Sequence, residues 1–205
     1  MIRALSLQFV AAWRGTTAAE IAAAALALVY LLLAIRQRIE CWAAALLSSC
    51  LYVWVLFGAK LYMESGLNAF YAAMAVYGFW QWRHGQGGSA LRVSHWPFSR
   101  HALGALAILA ASLISAYFLG KYTIAAAPFI DSMITWASVF ATFLVARKVY
   151  ENWHWWLVID SVGLCVYFSR RLYLTMLLFA LYLVLIVFGM RQWRRSLRPS
   201  LHELA

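Results

Sequence analysis

Between Tyr150 and Asp160 the chain reads "YENWHWWLVID", which sets asparagine, three tryptophans and a carboxylate into an otherwise apolar run of membrane length. On a helix, Trp153, Trp156 and Asp160 stand at i, i+3 and i+7, so they project from one face over roughly 10 Å of axis. Aromatic faces beside a carboxylate can hold a flat, cationic or hydroxyl-bearing small molecule. A cation over a tryptophan face gains about 0.5–2 kcal/mol. A charge at the centre of a membrane helix costs about 2.5–3.5 kcal/mol on insertion scales, so Asp160 must face a partner or a wet cavity. Asn152 opens the same helix, whereas Trp155 points away from the carboxylate and is expected in the interfacial tryptophan belt.

Two further stretches supply polar groups. Asp131, Thr135, Ser138 and Thr142 follow i, i+4, i+7 and i+11 and draw a polar stripe along an apolar helix. Such a stripe must line protein or water, which makes Ser138 and Thr142 candidates for substrate contact. Asn68 and Tyr71, in "GLNAFY", offer an amide and a phenol near a helix start. Glu20 and Asp131 stand at equivalent places near the outer ends of two helices and are expected to be structural or gating parts. Histidine spacings fit no metal site, and Cys41, Cys50 and Cys165 lie in apolar runs without CxxC spacing. No metal or other cofactor is expected.

The elements that carry these residues are membrane helices. Of 205 residues 65% are hydrophobic and 12% charged, far from the globular norm of about 25% charged. Apolar runs cover residues 18–35, 41–58, 66–82, 102–120, 129–146, 152–169 and 173–190, and each approaches or reaches the roughly 17–25 residues that cross a bilayer. Backbone groups in lipid must be satisfied within the segment, so these runs are helices. The expected fold is an all-α polytopic bundle of seven helices, preceded by a short surface segment. The net charge of +10 is scattered through the short gaps, which marks topology rather than nucleic-acid binding. Arg36, Arg38, Arg83, Arg92, Arg100, Arg147, Lys148, Arg191, Arg194, Arg195 and Arg198 outnumber the basic residues at the other ends. The positive-inside rule then puts the N-terminus outside and the C-terminus in the cytoplasm.

A shift of 111 positions superposes "RQRIECW" on "RKVYENW" and "YGFWQWR" on "FGMRQWR", and roughly a third of residues 33–83 are identical to their shifted partners. The pairs include Arg36 with Arg147, Glu40 with Glu151, Trp42 with Trp153, Tyr71 with Tyr182, Gly78 with Gly189 and Trp82 with Trp193. A repeat of three helices is odd, so a linker helix must restore the orientation of the second copy. The expected organisation is an N-terminal segment (1–17), a first three-helix repeat (18–82), a loop and linker helix (83–128), a second repeat (129–193) and a tail (194–205), a 3+1+3 bundle of parallel repeats. Parallel repeats are a transporter layout with the substrate site near the midplane between them. The spacing of Arg36 to Glu40 and of Arg147 to Glu151, i and i+4, predicts local ion pairs at the turns.

The run from "ARKVYENWHWWLVID" to "FGMRQW", with ENWxxW, the later Asp160, "LYLT" and G-xxx-W, resembles the PnuC family of bacterial vitamin transporters, and "KLYMESGLNAFYAAMAVYGFWQW" is similar to the family's third helix. The resemblance covers residues 20–193. It implies facilitated diffusion of nicotinamide riboside across the bacterial inner membrane, with relatives that carry thiamine or riboflavin, and trapping of the substrate by a cytoplasmic kinase. The family's WxxW motif falls on Trp153 and Trp156, while Asn68 stands where members often carry glutamine. Proton-driven uptake through Asp131, Glu20 or Asp160 stays open, as does homo-oligomer formation. An intramembrane enzyme is disfavoured by the lack of HExxH, nucleophile elbow or carboxylate-rich metal motif, and a retinal photoreceptor by the lack of lysine in the last helix.

Overall fold

The computed structural model describes residues 17–60, 62–85, 89–122, 127–169 and 173–197. The expected N-terminal surface segment and most of the C-terminal tail lie outside these residues. Seven helices follow in order: α1 (Ala18–Ile35), α2 (Cys41–Gly58), α3 (Tyr62–His84), α4 (Phe98–Tyr122), α5 (Pro128–Ala146), α6 (Asn152–Ser169) and α7 (Tyr173–Ser196). The apolar runs set α1, α2 and α6 to the residue. The helices α3, α4 and α7 extend beyond their runs, because helical hydrogen bonding continues into polar residues at the membrane surface. His84 and His101 thereby fall inside α3 and α4.

Local chemistry explains the ends. Thr17 and Glu20 form a capping box at α1: the Thr17 hydroxyl accepts from the Glu20 amide at 3.3 Å, and the Glu20 carboxylate accepts from the Thr17 amide at 2.6 Å. Pro128 at the first turn of α5 has the φ that a helix start needs. Past the C-terminal ends of α1 and α5, Gln37 (φ 56°) and Lys148 (φ 48°) adopt left-handed backbone and turn the chain into the next helix. Position 37 plus 111 is position 148, so the two turns share one geometry.

Neighbours in sequence pack in pairs α1·α2, α2·α3, α4·α5, α5·α6 and α6·α7, and two long-range contacts, α3·α5 and α1·α7, close the bundle. The core lies where those contacts meet. Trp42 and Trp82 meet edge to face at 5.4 Å between centroids, Trp82 and Trp193 at 6.2 Å, and Trp153 and Trp193 at 5.5 Å. Two glycines make room for this chain of indoles: a Cβ on Gly78 would overlap Trp42, and one on Gly189 would overlap Trp153. Trp82 Nε1 donates to the Val145 carbonyl at the end of α5, and Trp193 Nε1 donates to the Ala34 carbonyl at the end of α1.

Five helices, α1, α2, α4, α5 and most of α7, are long and apolar enough to cross a membrane. The remaining two, α3 and α6, are diluted by the residues of interest, Asn68 and Tyr71 on α3 and Asn152, Trp153, Trp156 and Asp160 on α6. Large apolar side chains such as Trp54, Leu103, Leu106, Ile114 and Val184 are exposed on the outer surface, as a lipid-facing bundle requires.

Candidate functional site

A cavity of about 420 Å³ opens inside the bundle, within the range of small-molecule sites. All eight residues expected to contact substrate line it: Asn68, Tyr71, Ser138, Thr142, Asn152, Trp153, Trp156 and Asp160. Three helices bring them together, because α3 and α5 pack against each other while α6 leans on α5. Neither Glu20 nor Asp131 lines the cavity. Glu20 closes the capping box of α1, and Asp131 sits in the first turn of α5.

Several lining residues escaped the search for chemical side chains: Tyr30, Trp42, Ser48, Ser49, Tyr52, Phe179 and Tyr182. The repeat carried the signal for most of them. Trp42, Ser49, Phe179 and Tyr182 are the 111-residue partners of Trp153, Asp160, Asn68 and Tyr71. One cavity is thus walled by matched positions of both sequence repeats, alike at Trp42 and Trp153 and at Tyr71 and Tyr182 but different at Ser49 and Asp160 and at Asn68 and Phe179.

Polar groups in the cavity are unevenly satisfied. Thr142 donates its hydroxyl to the Ser138 carbonyl at 2.8 Å, an intrahelical bond. Ser48 donates to the Ala23 carbonyl at 2.8 Å, tying α2 to α1. Asn68 donates to the Glu64 carbonyl of its own helix at 2.9 Å. Asn152 is fully buried; its amide nitrogen donates to the Val149 carbonyl at 2.6 Å, while its oxygen finds no partner among the described residues. The indole nitrogens of Trp42 and Trp153 are likewise buried without a partner. Unpaired buried polar atoms cost about 1–3 kcal/mol each, which concentrates polar strain at this end of the cavity. Asp160 is 6% exposed and has neither ion pair nor hydrogen bond among the described residues.

Trp155 is half-buried: its ring meets Phe140 edge to face at 5.1 Å, and its Nε1 donates to His101 Nδ1 at 3.3 Å. Its face of α6 is covered by α4 and α5, which a single helix cannot reveal. The ion pairs Arg36 to Glu40 and Arg147 to Glu151 do not form. Glu40 pairs with Arg38 at 2.7 Å, and Glu151 accepts from His95 Nδ1 at 2.6 Å and from the Trp96 amide at 3.3 Å. Arg147 reaches the Tyr77 hydroxyl at 3.4 Å instead. The left-handed residues at positions 37 and 148 interrupt the helical register that the i, i+4 rule assumes. Finally, His95 and His101 are working parts of a latch. Because His101 Nδ1 accepts from an indole, which can only donate, its proton sits on Nε2, 3.7 Å from the Glu151 carboxylate. The latch includes a parallel bridge in which Ser94 donates to the Lys148 carbonyl at 3.0 Å and accepts from the Tyr150 amide at 2.9 Å. It fastens the α3–α4 connection onto the α5–α6 turn.

Burial raises the pKa of the Glu151 carboxyl, but the hydrogen bond from His95, the amides of Glu151 and Trp96 and the charge of His95 outweigh it, so the group titrates below the usual carboxylate range. Among the described residues no cluster of histidine, cysteine and carboxylate side chains could hold a metal ion.

A polytopic all-α bundle with an internal cavity of aromatic and polar side chains and no hydrolytic or metal-binding cluster among its described residues has the build of a membrane transporter of small molecules. The chain belongs to the nicotinamide mononucleotide transporter family, whose model matches residues 17–195. It is similar to the riboflavin/roseoflavin transporter RibM of Streptomyces davaonensis, with 30% identity over 86% of each chain. It is also similar to the nicotinamide riboside transporter PnuC of Escherichia coli, with 25% identity over 81% of this chain and 80% of the other. Its fold matches the crystal structure of the vitamin B3 transporter PnuC with a TM-score of 0.70 at 20% identity, over 95% of this chain and 88% of that one. These relatives are transporters, not enzymes, and the resemblance drawn from ENWxxW and its neighbours holds at the level of the family.

Proposed function

We propose that the protein carries nicotinamide riboside by facilitated diffusion across the bacterial cytoplasmic membrane, after which phosphorylation by a cytoplasmic kinase traps it. The observation that carries this reading is Asp160: a carboxylate buried in an aromatic cavity with no ionic partner among the described residues. A pyridinium ring is a flat cation. It stacks on Trp156 and Trp153, and Asp160 balances its charge. Ribose hydroxyls and the carboxamide find Asn68, Tyr71, Ser138, Thr142 and Asn152, whose unpaired oxygen is a ready acceptor. The two three-helix repeats rock about the cavity, with the C-terminus in the cytoplasm, a reading supported by the excess of basic residues at one end.

Riboflavin is the second reading, favoured by the 30% identity to RibM over most of both chains. The same aromatic walls suit a flavin, but a neutral ring makes no use of the Asp160 charge. Purified protein in detergent, titrated with nicotinamide riboside and riboflavin, separates the two. Binding of nicotinamide riboside that weakens in Asp160→Asn supports the first; riboflavin binding alone, indifferent to that substitution, overturns it. In proteoliposomes the substrate should equilibrate without accumulating, and uptake beyond equilibrium under a pH gradient would replace facilitated diffusion with proton coupling.

A further inference from the structure

The two walls of the cavity are unequal in a way that bears on ligand breadth. At four matched pairs of lining positions the second repeat holds the larger or more polar residue: Ser138 against Ala27, Thr142 against Leu31, Trp156 against Ala45, Asp160 against Ser49. The middle helices α2 and α6, which carry Ala45 and Trp156, do not pack against each other although both line the cavity. The cavity lies between them, and at the first-repeat position matched to Trp156 its lining is only a methyl group.

We propose that Ala45 sets the breadth of ring the site accepts: with only a methyl at the position matched to Trp156, the cavity admits a fused tricyclic heteroaromatic ring as well as a single pyridine ring. This rests on the cavity being the vitamin site. Ala45 and Asp160 then act as two separate selectors at the same place. Asp160 favours a charged ring whatever its width. Ala45 tolerates a wide ring whatever its charge. A bulky side chain at position 45 takes cavity volume from the wide ring first, because a tricyclic ring needs more of that volume than a single ring does.

The test is the ratio of riboflavin to nicotinamide riboside affinity, measured by quenching of intrinsic tryptophan fluorescence on purified, monodisperse protein. Ala45→Trp should lower that ratio by about tenfold or more. Asp160→Asn should raise it by a similar factor. Ala45→Val and Ala45→Leu, which add less volume, should move the ratio stepwise in the direction of Ala45→Trp and serve if the tryptophan variant does not fold. An unchanged ratio across the Ala45 series, or equal loss of both ligands, overturns the assignment. So does wild-type protein that binds nicotinamide riboside and no riboflavin, which would leave the proposed function standing. Wild-type protein that binds neither vitamin removes the functional reading itself.

Discussion

Trp82 and Trp193 lie 6.2 Å apart, and each donates its indole proton into the other half of the chain, to Val145 at 3.1 Å and to Ala34 at 2.9 Å. Both carbonyls also accept from the left-handed residue three positions on, Lys148 and Gln37. A carbonyl has two lone pairs, so the turn and the indole share it without conflict. The crossed bonds join α3 to α5 and α7 to α1, the same helix pairs that close the bundle.

Removing one donor tests that closure. Trp193→Phe should cost about 1 kcal/mol for the hydrogen bond and more for the volume lost from a fully buried site. Trp82→Phe should behave alike, since the two bonds are counterparts. The measurement is the melting temperature in detergent, and unchanged melting in both variants would show that the crossed bonds add nothing.

Gly78→Ala and Gly189→Ala should each lower stability and weaken ligand binding together, because the added methyl group displaces Trp42 or Trp153, and both rings line the cavity. Gly66→Ala is the control: nothing lies within 4 Å of its would-be Cβ, and alanine in a helix is favoured over glycine by about 0.5–1 kcal/mol. Thermal melting and ligand titration of the three variants decide it.

Trp156→Ala should weaken binding of an aromatic vitamin by up to about thirtyfold, equivalent to the roughly 2 kcal/mol of a desolvated cation on an indole. Trp155→Ala removes the contact to Phe140 and the bond to His101, so its expected signature is a lower melting temperature. Equal losses of affinity in both, in protein that remains folded, would mean that the segment packs rather than binds.

The latch at Glu151 is sensitive to acid. Its folded pKa lies below the ordinary value, so its stabilising share is present above the unfolded carboxylate pKa and disappears as pH falls through the lower, folded one. Glu151→Gln should therefore melt earlier than wild type at neutral pH, and the gap should close in acid. A gap that stays constant between neutral pH and the acidic end of the carboxylate range would rule out this role.

Orientation is checked with reporters. A fusion after Ala205 should be cytoplasmic and one at Met1 extracytoplasmic, because basic residues gather at the ends of α1, α3, α5 and α7.

Much of this protein was legible in its sequence. Continuous apolar runs marked all seven helices, because lipid leaves the backbone no alternative to helical hydrogen bonding. The shift of 111 positions exposed matched tryptophans and glycines, and the i, i+3, i+7 spacing put Trp153, Trp156 and Asp160 on one face before any neighbour was known. Helical periodicity says which residues share a face but not which helix that face meets. Only the packed bundle decided that Trp155 meets α4 through His101, that Glu151 is held by His95 rather than Arg147, and that Ala45 and Trp156 line one cavity from helices that do not pack against each other. Those outcomes depend on long-range contacts and on left-handed turns at Gln37 and Lys148, where the chain leaves the helical register and local spacing ceases to predict what touches what.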